Sequence, residues 1–200
     1  GRKKLPTVWS EEDIRRLLES MDLTNPNGKR NYAMLLLAAR LGLRIGDIRD
    51  LQLSDIDWQA STLTIVQNKT KEPLTLPIPA DVGWAIIDYL KNGRPVTESG
   101  NIFVRHVPPY DGFANTSNLH NIMTKAISNA GIPCEGKPGG FHTLRHSLAT
   151  HLLQGGVEST TISDILGHTS PETVKHYLQA DTFSLRRCAL EVEVKPYVEG

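Results

Sequence analysis

The sequence predicts a mainly α-helical domain with one small three-stranded antiparallel sheet, an α+β arrangement. Three observations predict it. Apolar residues recur at helical spacing over most of the chain. The stretch 56–79 switches to alternation with a period of two, as half-buried strands do. Several of the helical runs open on capping residues or close on glycine. At 200 residues, 39% of them apolar and 22% charged, the chain is long enough for one domain with a full core.

Taken in order, residues 1–9 form a basic, Pro-containing lead-in (G-R-K-K-L-P) that reads as an interdomain linker or the remnant of a longer chain. Ser10 followed by Glu11, Glu12 and Asp13 predicts a helix N-cap with acids in the first turn, and a helix to about Met21. N-P-N-G is a turn signal. An apolar helix is expected over 29–42, ending near Gly42, then a short one over Gly46–Leu51. I-D-W, T-L-T-I-V-Q and L-T-L-P-I-P are the three strands, with Asn68–Pro73 turning between the last two. Helices resume at 80–91 and 115–130. G-K-P-G-G is a flexible break before Phe141. Helices are expected at 143–154, 158–166 and 171–179, and the tail holds a short helix near 183–189 and the alternating run L-E-V-E-V. The main domain is therefore 10–182, with 183–200 as a C-terminal tail.

Lysine plus arginine and aspartate plus glutamate each number 22. Zero net charge argues against a domain that holds nucleic acid by bulk charge, and leaves local charge to decide. Cys134 and Cys188 make no disulfide framework, which favours a reducing, cytoplasmic setting. The start lacks a signal-peptide pattern. No apolar run approaches a membrane span of about 18 residues, since M-L-L-L-A-A is stopped by Arg40.

Six residues stand out. His142 and Arg145 are three apart at a helix start, so they share a face beside N–H groups that favour anions. Arg44 adds a second guanidinium, and two can fork onto one phosphate and hold transition-state charge. Lys69 sits in a hairpin turn, from which a lysine can reach a leaving oxygen as general acid; Lys71 is the competing assignment. His168 precedes a helix, and Tyr177 follows His176 in a short helix. Each has an ordinary reading: a capped surface helix for His142 and Arg145, an Arg44–Asp47 surface pair, a solvated turn lysine, a solvated loop histidine, and a half-buried packing tyrosine. His142 and His146, four apart, also have zinc-ligand spacing, with His168 as third ligand. Against zinc, the helix lacks the Glu of H-E-x-x-H, and Arg145 would face the cation.

Together these residues resemble the catalytic domain of tyrosine recombinases, the phage integrase family. G-L-R-I-G-D-I resembles the family's first arginine box, with Asp47 at its acidic position. F-H-T-L-R-H-S-L-A-T-H-L-L resembles the second. L-G-H-T-S-P-E-T-V-K-H-Y resembles the segment running to the nucleophile, and V-Q-N-K-T the lysine hairpin. The likeness covers about residues 5–180. It implies that Tyr177 attacks a scissile phosphate to give a 3′-phosphotyrosyl link and a free 5′-hydroxyl. Arg44, Arg145 and His168 would bind the phosphate, Lys69 would protonate the 5′-oxygen, and His142 would assist proton transfer. No metal, ATP or other cofactor is implied. The implied partners are double-stranded recombination sites and further copies of the chain in a synaptic tetramer. The family's N-terminal DNA-binding domain is expected to be missing from this chain, and the tail is expected to dock either on a neighbouring protomer or on its own sheet. The favoured role is integration or excision of a mobile element. Alternatives are a chromosome-dimer resolvase, a type IB topoisomerase-like strand transferase, a non-catalytic helical DNA-binding module and a zinc hydrolase.

Overall fold

The first helix begins where the sequence places its cap. Ser10 Oγ accepts the Asp13 N–H at 3.1 Å, and α1 runs Glu11–Glu19, burying Ile14, Leu17 and Leu18. The computed structural model describes residues 8–133 and 139–167. The expected helices at 171–179 and 183–189, the L-E-V-E-V run, and both cysteines lie outside the described residues.

The second helix, α2 (Pro26–Leu41), starts three residues before the expected 29. N-P-N-G is its opening rather than a free turn. Asn25 Oδ1 caps the Gly28 N–H at 2.8 Å, and Pro26 occupies a first-turn position where no N–H is needed. Gly28 is required there, because a methyl group would stand 1.7 Å from the Asp22 carbonyl oxygen. Ala33–Ala39 are buried, so this stretch of α2 is apolar on every side, as the enclosed part of a central helix must be. It packs against α4 (Ala80–Asn92) and α6 (Phe141–Gln154), while α1 packs against α5 (Ser117–Ala130). Gly42 ends α2 in the left-handed region at φ 62°, its N–H on the Ala38 carbonyl.

After α3 (Ile45–Asp50) and one 3-10 turn come three antiparallel strands in the order β1 (Ile56–Asp57), β2 (Thr62–Val66), β3 (Pro73–Pro77). The register pairs Leu63 with Leu76 and Ile65 with Leu74, all buried. On the other face the Thr64 and Thr75 hydroxyls meet at 3.0 Å. Trp58, expected in the first strand, lies in the following turn and is 43% exposed. Helix α6 begins two residues earlier than expected, so His142 lies inside its first turn. Helix α7 spans Ser159–Gly167. Leu148 and Leu152 of α6 form a separate small cluster with Ile162, Ile165 and Leu166 of α7. That cluster fixes how α7 lies on the main body. No helix among the described residues is long and apolar enough to cross a membrane.

Tyr89, fully buried, receives the Val104 N–H at 3.5 Å and lies 3.2 Å from His106 Nε2. Burial, and then the charge of Arg30, push His106 down from 6.5 to about 4.

Two outcomes test this packing. Replacing Gly28 with Ala should cost about 3 kcal/mol through overpacking. Gly83→Ala in α4, where a methyl would sit 3.5 Å from Ile78 Cγ2, should be neutral or add up to about 1 kcal/mol. Urea midpoints decide both. The unfolded chain protonates His106 near 6.5 and the folded chain only near 4. Stability contributed by neutral His106 is therefore present above pH 6.5 and lost as pH falls towards 4. His106→Phe should flatten that acid limb in urea titrations over the same window.

Candidate functional site

The left-handed turn at Gly42 brings the end of α2 against α6 and α7. A methyl there would stand 2.5 Å from Leu166 Cδ2 and 3.2 Å from Leu148 Cδ2. Leu43 is buried beyond the turn, and Arg44, half-buried, takes the N-cap position of α3 without a capping side chain.

Arg145 reaches this turn from α6. Its Nη1 donates to the Gly42 carbonyl at 2.6 Å, and its Nη2 donates to the Leu166 carbonyl near the end of α7. One guanidinium thus satisfies carbonyls at two helix C-termini, where a cation is favoured. Gly167 marks where the two arginines meet. A methyl on it would lie 3.3 Å from Arg44 Nη2 and 3.7 Å from Arg145 Nη2. Burial first, and Arg44 second, lower Arg145 to about 10, with Asp47 opposing. Two cations held together and partly desolvated form a site short of negative charge.

Asp47 does not serve as the surface ion-pair partner of Arg44 in the ordinary reading. It is buried, and its Oδ1 accepts the Asn68 N–H at 2.7 Å. Its Oδ2 has no hydrogen-bond partner among the described residues. Asn68 Nδ2 also donates to Asp50 Oδ2 at 2.8 Å. The Arg49 guanidinium, followed by the Asn68 amide and the Lys71 charge, holds the Asp50 carboxyl below its usual range. The β2–β3 hairpin is therefore tied to α3, directly after Arg44. The Gln67 N–H donates to the Glu72 carbonyl at 3.0 Å and the Lys71 N–H to the Gln67 carbonyl at 2.9 Å. Lys69 is exposed at the tip, and Lys71 is left-handed at φ 62°.

His142 is exposed on the first turn of α6, its ring edge-to-face with His146 at 6.2 Å. Behind it, the buried Ser147 hydroxyl donates to the Thr143 carbonyl at 2.8 Å and accepts the Trp9 N–H at 2.9 Å. That anchors the start of the described chain on α6. Among the described residues no group of three or more His, Cys, Asp or Glu is placed to hold a metal. His168, third ligand in the zinc alternative, and Tyr177 both lie outside the described residues.

The sequence reading missed Gln67. It is 1% exposed, and its amide joins three elements. With the amide oriented so that its oxygen faces the Arg44 guanidinium, the assignment that satisfies both of its ends, Nε2 donates to Thr70 Oγ1 at 2.8 Å and to the Gly167 carbonyl at 3.1 Å, and Oε1 accepts from Arg44 Nη1 at 3.2 Å. The signal was present in the alternation: Leu63, Ile65 and Gln67 share the inward register. A polar residue in that series must find buried partners.

The sequence profile of the phage integrase family matches residues 8–183. A putative integrase/recombinase, y4rA, of Sinorhizobium fredii is 39% identical over 186 residues, covering 93% of this chain and 44% of the relative. Tyrosine recombinase XerC of Halalkalibacterium halodurans is 30% identical over 194 residues, covering 93% of this chain and 62% of the relative. The chain thus spans less than two thirds of either relative. Among solved structures, that of XerA recombinase superposes with a TM-score of 0.71 at 26% identity, over 97% of this chain and 68% of that one.

If the arginine pair is an anion site, inorganic phosphate should raise thermal stability at matched ionic strength. At ten times its dissociation constant the gain is about 1.4 kcal/mol. Arg44→Ala should lose most of that gain while keeping its melting temperature without phosphate. Thermal melts with phosphate against chloride decide it.

Proposed function

The chain belongs to the phage integrase family, and from that premise we propose that it is the catalytic domain of a tyrosine-type site-specific DNA recombinase. The observation that carries the reading is the convergence of Arg44 and Arg145 beside Gly167, two half-buried guanidiniums on one small patch.

In this reading the scissile phosphate sits on the arginine pair, with His168 as a further donor. The Tyr177 hydroxyl oxygen attacks phosphorus, forming a 3′-phosphotyrosyl bond and breaking the bond to the 5′-oxygen. His142 takes part in moving the tyrosine proton, and Lys69 delivers a proton to the leaving 5′-oxygen. The covalent bond conserves phosphodiester energy, so a 5′-hydroxyl of another strand can reverse the step without ATP. The arginines neutralise charge that grows on the non-bridging oxygens as the pentavalent state forms. The partners are double-stranded recombination sites and further copies of the chain in a synaptic tetramer. The role is integration or excision of a mobile element, carried out in the cytoplasm. Residues 10–182 constitute the catalytic domain, preceded by a linker and followed by a tail over 183–200. The likeness to XerC and to a putative integrase supports this reading.

The test is incubation with supercoiled plasmid, quenched with detergent. Wild type should relax the plasmid and form a covalent protein–DNA adduct, and Tyr177→Phe should do neither. Arg145→Ala should lower adduct formation by about 10²–10³-fold, and a chelator should leave it intact. An adduct from Tyr177→Phe places the nucleophile elsewhere. DNA binding without any adduct from either protein returns the non-catalytic DNA-binding reading.

A further inference from the structure

Among the described residues, Gln67 is the one buried side-chain amide, and it touches the arginine pair. Arg145 has its own acceptors, the carbonyls of Gly42 and Leu166. For Arg44, the acceptor within hydrogen-bond reach among the described residues is Gln67 Oε1, at 3.2 Å. The same amide donates to the Gly167 carbonyl at 3.1 Å, one residue beyond the Leu166 carbonyl that Arg145 uses. Arg44 and Arg145 are thus tethered to consecutive carbonyls at the end of α7, one through Gln67 and one directly. The amide is neutral. A carboxylate in its place would hold Arg44 in an ion pair and cancel the charge the patch offers to an anion. An apolar side chain would take this acceptor from Arg44 and this donor from the Gly167 carbonyl.

We propose that Gln67 is a positioning residue for Arg44: an uncharged spacer that aims its guanidinium beside that of Arg145 while leaving its charge free for a phosphate group. This rests on the proposed function for the identity of the ligand, and on the contacts of Gln67 alone for the geometry. It also makes the hairpin more than a carrier of Lys69. Its root, pinned through Thr70 Oγ1 at 2.8 Å and through Asn68 to Asp47, sets the arginine pair from the opposite side.

The experiment titrates inorganic phosphate into wild type, Gln67→Glu and Gln67→Ala by calorimetry, and follows thermal unfolding of each without phosphate. Gln67→Glu should bind phosphate at least about tenfold more weakly at pH 7.5, with its melting temperature unchanged or raised by the new ion pair. Its affinity should recover as the pH falls and the introduced carboxyl is protonated, a response a purely structural residue would not give. Gln67→Ala should bind about two- to threefold more weakly and show no such recovery, in line with losing one modest hydrogen bond. The inference is overturned if Gln67→Glu binds phosphate as wild type does. It is also overturned if both variants lose binding equally and melt well below wild type, or if wild type does not bind phosphate. The plasmid assay runs on the same three proteins. If phosphate binding follows the expected pattern while wild type never forms an adduct, the proposed function fails and the positioning role of Gln67 stands.

Discussion

The contact on which the rest depends is the bidentate reach of Arg145 to the Gly42 and Leu166 carbonyls. It draws together α2, α6 and α7, whose ends are far apart in sequence. A helix C-terminus carries partial negative charge on unpaired carbonyls, and two such ends meeting in a partly buried place would repel. A shared cation resolves that. It must be Arg rather than Lys, because two carbonyls on different helices require a planar fork with donors spread in space. Gly42 makes the contact possible twice over: it turns the chain at positive φ, and it leaves room for the Leu166 and Leu148 methyls.

This contact leaves the site electrostatically unbalanced. Arg145 is lowered to about 10, first by burial and then by Arg44. Asp47 opposes the second effect, yet its Oδ1 is committed to the hairpin amide of Asn68. The nearby polar groups orient the cations without neutralising them: a carbonyl pair for Arg145 and an amide for Arg44. Such an arrangement favours folding less than an ion pair would, and an anion bound at the pair would supply the missing charge. Preorganised positive charge of this kind gains most where negative charge grows during a reaction.

Much of the fold was legible in the sequence because local signals agreed with tertiary demand. Ser10 capped α1, Gly42 closed α2, and the alternation over 62–77 gave the inward leucines of β2 and β3. Asn25–Pro26 was misread because the same residues serve as turn formers and as N-cap with N1 proline; only the packing of Gly28 on the Asp22 carbonyl separates the two. The site was legible in part. Arg44, Lys69, His142 and Arg145 were singled out by motif, but the meeting of Arg44 with Arg145 is a tertiary fact no local period encodes. Gln67 was overlooked because it was read as the polar end of a strand, although its inward register should have raised the question of its partners.

The balanced composition shows why a whole-chain charge count was a poor guide. Equal numbers of acidic and basic side chains say nothing about the field within the roughly 8–10 Å over which charges act at physiological salt. In α1, Glu12 and Glu19 hold Arg15 and Asp13 lies 3.9 Å from Arg16, and Asp81 and Asp88 hold Arg40 and Lys29. Asp50 holds Arg49. These pairs cancel locally and contribute little at a distance. The arginines beside Gly167 have carbonyl and amide acceptors instead of carboxylates, so their charge survives the cancellation. Other described cations also bond to carbonyls rather than carboxylates, Arg30 and Arg94 among them; what sets the pair beside Gly167 apart is that the helix termini hold two such guanidiniums side by side.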